Sequence, residues 1–498
     1  MAQRDAGHQT VPPSILPLML GILAAAGGWT AEASDTQVVA VKKHTAGGLF
    51  VAEVSIGTPP QRLSLQIDTA SAWMWVPEAG DAQEGFDRGK SSTAELGDNK
   101  NISFADGLEV RGSLLHDTVA IGDAETRGVP LLLVHNVTGP RLVVPPDGVG
   151  FLGLACPDDH AQVGAWHLLG SNDERSSKED RQRGSFFKHF WEQHPSVARS
   201  YRFELGGPSP RLVVGADGTG GDPSEGGLVF LAKTFLARGA IQIGSKNTAW
   251  YVSMRAIGLS SGKDSPSLRW NLDFNYLAPY GAPTLLDTGA PAIFVGSVVY
   301  ARLVGSLPGR CEREPKTGGT SCSCDANRIA DTFPSISISF ETADAYRFLG
   351  LDSGNDIVVC IPPQAYVRYD AANNNCSVDI VDGGPRHQIF GSESVVLGVP
   401  FFRSVTVFMD LERQRVGLGA PLEQEEGGDG AGRPGTCADP KDWWSTGKRL
   451  SPRRVAVVLA GVAALAAYIF IAHSPSRAAE GLRAALDGLC GGGPGLGG

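Results

Sequence analysis

Two aspartates in this chain stand where a pair of carboxylates could share one task. Asp68 closes the run Leu65-Gln66-Ile67 and is followed by Thr69-Ala70-Ser71. Asp287 closes Leu285-Leu286 and is followed by Thr288-Gly289-Ala290. Each half of the chain thus holds one Asp-Thr-small loop straight after apolar, strand-type residues, and two such loops can meet at a pseudo-twofold axis. Carboxylates within about 3 Å of each other cannot both ionise, so one keeps a proton. The ionised member can take a proton from water while the protonated one polarises a carbonyl and later helps an amine leave. That chemistry hydrolyses amides with no metal, no cofactor and no covalent enzyme intermediate.

Strands must deliver both carboxylates. Leu63, Leu65 and Ile67 alternate with Arg62, Ser64 and Gln66, the period of a half-buried strand, which ends at Asp68. Leu49 to Ile56 is apolar with Glu53 and Ser55 on one face, and Gly57-Thr58-Pro59-Pro60 turns the chain between the two. A second hairpin opens at Ile102-Ser103-Phe104-Ala105-Asp106-Gly107, with Leu114 to Ile121 as its return. Phe151-Leu152-Gly153, Tyr201 to Leu205 and Arg211 to Val214 continue the strand pattern, and Phe186 to Trp191 suits a short amphipathic helix. The second half repeats the order. Strands are expected at Trp250 to Ile257 and at Thr284 to Leu286, and a helix at Ser297 to Leu307. Ile336, Ile338 and Phe340 alternate with serines, Val395-Val396-Leu397-Gly398 echoes Phe151-Leu152-Gly153, and Ser404 to Met409 and Arg415 to Leu418 close the pattern.

The 498 residues exceed one core, and 64 glycines with 32 prolines favour turns and short strands. A net charge of −10 argues against nucleic acid, whose phosphates need clustered Lys and Arg. The apolar run Ile15 to Ala26 followed by Ala31-Glu32-Ala33 predicts a signal peptide. The uncharged run Val455 to Ala472 nearly covers a hydrocarbon core of about 30 Å and predicts a span, with Arg453, Arg454 and Arg477 flanking it. Lys448 and Arg449 add to a positive side that would prefer the cytosol, but a translocated folded domain overrides that bias. Of eight cysteines, Cys311, Cys322, Cys324, Cys360 and Cys376 crowd the second half and read as disulfide candidates. Cys322-Ser323-Cys324 has no matching His/Cys pair at zinc spacing, so no metal site is expected. Asn101-Ile102-Ser103 and Asn136-Val137-Thr138 are glycosylation acceptors, which fits a secreted route.

Ile56-Gly57-Thr58-Pro59-Pro60-Gln61 leading to Asp68-Thr69-Ala70-Ser71 and Trp75-Val76-Pro77, with Asp287-Thr288-Gly289 and Val396-Leu397-Gly398 in order, resembles the pepsin-type (family A1) aspartic proteases. Phe104-Ala105-Asp106-Gly107 with Gly112 and Asp117-Thr118-Val119 is similar to their flap hairpin, at a spacing nearer plant nepenthesin-type members. The likeness runs from about Leu49 to Pro421. It implies an all-β, bilobal fold with two pseudo-twofold-related lobes, here with one C-terminal transmembrane helix. It implies that Asp68 and Asp287 are the catalytic pair and that Thr69 and Thr288 tie the two loops behind them. Gly289 supports its loop, and Ser71 hydrogen-bonds the outer oxygen of Asp68. Phe104 sits at the flap tip with Trp75 behind it, both lining an apolar cleft. By family order Cys376 pairs with Cys324 or Cys322. The chain departs from the family at three positions: Ala70 for Gly, Ala290 for Ser or Thr, and Phe104 for Tyr.

The expected organisation is a signal peptide at 1–33, a short segment at 34–48 that is either a vestigial prosegment or a first strand, lobes at 49–235 and 236–422, a Gly-rich acidic stalk at 423–454, a span at 455–472 and a cytoplasmic tail at 473–498. The expected protein is a monomeric, cofactor-free aspartic endopeptidase with an acidic optimum, acting on peptide or protein substrates. It is a type I single-pass membrane protein of the secretory or endomembrane system or the cell surface. The alternative is the same fold with impaired catalysis, binding peptides or a partner. Asp68 keeps a neighbouring hydroxyl and Asp287 does not, so Asp68 is expected to be the better-stabilised anion.

Overall fold

Alternating side chains in Gln61–Asp68 put Leu65 and Ile67 into the core and run the strand antiparallel to Phe50–Ile56, with Ile56 opposite Gln61 and Val51 opposite Gln66. The reversal between them rests on Gly57, whose φ of +86° suits glycine and where a Cβ would stand 2.8 Å from Ser91 Oγ. A computed structural model of the chain describes residues 35–44, 48–80, 85–103, 109–139, 149–155, 185–218, 228–231, 250–260, 268–271, 282–314, 319–341, 356–383 and 395–419. The expected signal peptide, the expected stalk and the apolar run 455–472 lie outside them. Among the described residues no helix is long and apolar enough to cross a membrane.

The described residues are mostly strands with few and short helices. One thirteen-stranded sheet holds Asp68, and a separate eight-stranded sheet leads to Asp287. In the first, Gln61–Asp68 is followed in space by Gly150–Gly153, Trp75–Pro77, Ala124–Thr138, Glu109–Ile121 and Glu95–Ser103. On its other side lie Phe50–Ile56 and Gln37–Lys43, then Arg211–Val214, Ser200–Glu204, Thr406–Asp410, Arg415–Gly419 and Val229–Phe230. Strands from the end of the chain therefore pair with strands from its first half: Val407 faces Phe203. Of the two alternatives for residues 34–48, Gln37–Lys43 form a strand, paired first with Arg211–Val214 and then with Phe50–Ile56. Arg403 fastens this edge. Its guanidinium donates to the Gly48 carbonyl and lies over the Phe50 ring, 5.6 Å from the centroid.

The second sheet runs Asp356–Ile361, Ser335–Glu341, Tyr251–Ser260, Ala282–Leu286, Val395–Leu397, Ile293–Val295 and Ile380–Asp382, with Leu268–Asn271 also on Tyr251–Ser260. Tyr251–Ser260 outlasts the expected end at Ile257 because Leu259 pairs on both sides, with Ile336 and Leu268. The expected helices form as Phe186–Gln193, which buries Phe186, Phe187, Phe190 and Trp191, and Ser297–Gly305, which buries Val299, Tyr300, Leu303 and Val304. A four-stranded sheet carries Cys311, Cys322 and Cys376. Its disulfides are Cys311–Cys322 and Cys324–Cys376, which settles the partner of Cys376, and Cys360 is disulfide-bonded too.

Candidate active site

Each aspartate is presented by the same three-strand device. Gln61–Asp68 lies parallel to Gly150–Gly153, with Ile67 opposite Leu152 and Asp68 opposite Gly153. Ala282–Leu286 lies parallel to Val395–Leu397, with Leu286 opposite Leu397. The strand that follows each loop returns antiparallel to the bracing strand, placing Trp75 opposite Phe151 and Phe294 opposite Val396. Both braces end in a glycine because the returning loop lies on them. A Cβ on Gly153 would meet Trp73 O at 2.5 Å, and one on Gly398 would meet the carbonyls of Ala290 and Ala292 at 2.3 Å. Parallel pairing leaves room for one further bond per loop: Leu154 N donates to Asp68 O at 2.7 Å, and Asp287 N donates to Leu397 O at 3.0 Å.

Behind the carboxylates the loops are locked together reciprocally. Thr69 N donates to Thr288 Oγ1 at 3.1 Å, and Thr288 N donates to Thr69 Oγ1 at 3.0 Å. Each hydroxyl passes its own proton to the other half, Thr69 Oγ1 to Leu286 O at 2.8 Å and Thr288 Oγ1 to Ile67 O at 2.9 Å. Both threonines are fully buried, so these polar groups have no water to fall back on and the bonds are costly to lose. In front of the lock, Ala70 N donates to Asp68 Oδ1 and Gly289 N donates to Asp287 Oδ1, both at 2.8 Å. Backbone donors of this kind favour the charged carboxylate. The carboxyls crowd one point: a Cβ on Gly289 would stand 2.8 Å from Asp68 Oδ1 and 3.1 Å from Asp287 Oδ1.

The two halves differ at the next layer. Gln66, which the alternation puts among the polar face of its strand, is only 2% exposed and donates from Nε2 to the Gly289 carbonyl at 3.1 Å. Its counterpart two residues before Asp287 is Leu285, which packs with Ala290 and Val396, and Ala70, Tyr251 and Phe294 pack against that group. Ala70 therefore has an apolar place for its methyl. Among the described residues the non-glycine positions at positive φ are Asn374 and Gln414, so position 70 needs no glycine for its backbone.

The remaining site residues fall as follows. Ser71 is buried and its Oγ accepts from Trp73 N at 3.2 Å. Trp75 is 1% exposed, its ring 4.8 Å from that of Phe151, and it clusters with Trp73, Ile102, Val110, Leu132 and Val134. Trp75, expected behind the flap tip, packs with Ile102 and Val110 of the two strands that the sequence assigns to that hairpin. The strands of the hairpin expected to form the flap are Glu95–Ser103 and Glu109–Ile121, paired with Ile102 opposite Val110, and Phe104 lies outside the described residues. Asn101 and Asn136 are exposed and flank the same residue, Arg111, in adjacent ladders, so both acceptor sequences sit in one row across the hairpin. Among the described residues no three His, Cys, Asp or Glu side chains are grouped as metal ligands.

Two aspartate loops locked through their threonines define the class of site, and comparison with known proteins agrees. Residues 49–167 match the family described as eukaryotic aspartyl protease. Mucorpepsin of Rhizomucor pusillus is 38% identical over 124 residues, which is 22% of this chain and 29% of that protein. Across most of both chains the likeness is lower. The acid protease of Saccharomycopsis fibuligera is 22% identical over 397 residues, 78% of this chain and 84% of that protein. A probable aspartic-type endopeptidase of Aspergillus oryzae is 22% identical over 387 residues, 74% of this chain and 68% of that protein. These likenesses support the pepsin-like eukaryotic aspartyl protease family, and the family model matches the stretch that carries Asp68.

Proposed function

We propose that the chain is an aspartic endopeptidase with Asp68 and Asp287 as its catalytic pair, working at acid pH on peptide or protein substrates. The observation that carries this reading is the reciprocal Thr69–Thr288 lock, which holds the two carboxyls around one point. With one proton between them, the ionised aspartate takes a proton from a water molecule as that water attacks the scissile carbonyl. The protonated aspartate gives its proton to the carbonyl oxygen, and a tetrahedral diol forms. The first aspartate then returns its proton to the leaving nitrogen, one diol hydroxyl returns a proton to the second, and the C–N bond breaks. Asp68 takes the ionised role, since Ser71 is near it and its half supplies the Gln66 bridge.

Activity follows the singly protonated pair, so the pH profile is a bell on the acid side. The apolar runs 15–26 and 455–472 support a lumenal or extracellular enzyme tethered by one C-terminal span. The alternative, a peptide-binding protein with impaired catalysis, draws on Ala70, Ala290 and Phe104. The ordinary backbone at Ala70 and the apolar place for its methyl weigh against it. The test is digestion of a peptide library at acid pH with and without pepstatin. Pepstatin-sensitive cleavage is expected, and binding without turnover would favour the alternative.

A further inference from the structure

Side chains alternate along a strand, so the residue two before each aspartate stands on the same face as the carboxyl that follows it. In the first half that residue is Gln66, opposite Val51 in one ladder and Phe151 in the other. In the second half it is Leu285, opposite Tyr251 and Val396. Both take part in contacts that join the halves. The cluster of Leu285, Ala290 and Val396 receives Ala70 of the first loop. Gln66 Nε2 donates to the carbonyl of Gly289 in the second loop at 3.1 Å. Gly289 and Ala70 hold matching places, each two residues after its aspartate. The crossing is therefore apolar in one direction and a hydrogen bond in the other, since a leucine side chain has nothing to donate.

The difference suits the residues received. Ala70 has a methyl that packs, and this restrains its loop. Gly289 has none, and a Cβ there would stand 2.8 Å from Asp68 Oδ1. Glycine has the most backbone freedom of any residue. Yet Gly289 supplies the N–H that donates to Asp287 Oδ1 at 2.8 Å. The peptide unit that follows it is held at both ends. Its carbonyl accepts from Gln66, and its N–H, on Ala290, donates to Asp287 O at 3.3 Å. Gln66 is only 2% exposed, so little water is at hand to replace that bond. We infer that Gln66 is a positioning residue for Asp287: its side-chain amide anchors the peptide between Gly289 and Ala290 and so keeps the Gly289 N–H aimed at the Asp287 carboxyl.

The inference rests on the endopeptidase reading, and two readouts separate them. The first is the split between kcat and KM for peptide cleavage at acid pH. Gln66→Met keeps the length of the side chain and removes the donor. It is expected to lower kcat about 10-fold and to leave KM within about twofold. Gln66→Leu, which copies the other half, is expected to behave alike. Gln66→Glu is the conservative rescue. Its buried carboxyl keeps a proton at about pH 3.5 and can still donate, so all but about threefold of the rate should return. The second readout is backbone amide exchange over 285–292 and over 67–73, which needs no turnover. Gln66→Met should speed exchange about fivefold in the first stretch and leave the second unchanged. Unchanged kcat in the folded apolar variants, or a loss that Gln66→Glu shares, would overturn the inference and leave the endopeptidase reading standing. Unchanged exchange over 285–292 would overturn it whether or not the chain cleaves peptides. A wild type without proteolysis in which Gln66→Met still speeds that exchange would keep the tie and reject the activity.

Discussion

The two halves solve one problem, holding a carboxyl at a shared centre, with unequal parts. Their backbones match closely: a strand ending in Asp, a parallel brace ending in Gly, an antiparallel return and a threonine that reaches across. Their side chains do not. The first half has Gln66, Ser71 and a methyl at Ala70; the second has Leu285, Ala290 and a bare Gly289. Backbone geometry therefore sets where the carboxyls stand, and the flanking side chains are left to make the two chemically different. The proposed mechanism needs an acid and a base from identical residues, and in it the asymmetry serves the division of labour rather than spoiling it.

The largest effect should come from moving one change to the other half. Gly289→Ala puts a methyl 2.8 Å from Asp68 Oδ1 and is expected to lower kcat/KM by at least about 100-fold, the scale of an ångström's misplacement of reacting groups. Ala70→Gly, the mirror change, is expected to alter kcat/KM by less than about threefold and to cost about 0.4–1 kcal/mol of stability. Equal effects from the two would break the comparison. Next come Thr69→Val and Thr288→Val, each of which strips a bond from a buried amide and another from a carbonyl. Denaturant unfolding should show a loss of about 2–4 kcal/mol for either, with the double variant losing less than the sum.

The smallest effect concerns the sheet that both halves share. Burial pushes the Asp410 carboxyl up, but the Arg413 amide and the guanidiniums of Arg415 and Arg413 outweigh it and hold it below the ordinary value. A carboxyl with a lowered folded pKa adds stability above its unfolded value and loses it as pH falls through the folded one. Asp410→Asn should therefore lower Tm near neutrality, with the deficit shrinking as the pH drops below the usual carboxylate range.

Much of this centre was legible in the sequence, because period-2 strands ending in Asp and apolar-apolar-Gly braces are local signals. The roles that were not legible depend on what lies across a ladder. Gln66 alternates with core residues and so reads as solvent-facing, yet the other half of the chain covers it. Glu95–Ser103 has too little alternation to announce a strand, and its pairing with Glu109–Ile121 decides it. The packing of Trp75 with Ile102 and Val110 joins residues far apart in sequence and so is not legible in it.

The central claim is that two carboxyls, one from each half, act as a single unit. It is tested most directly by measuring peptide cleavage at acid pH for the wild type, Asp68→Asn, Asp287→Asn and the double variant. The expected result is pepstatin-sensitive cleavage in the wild type and a loss of about 1,000-fold or more in each single variant, with the double variant no worse than either. Acid cleavage that survives either single substitution would contradict it.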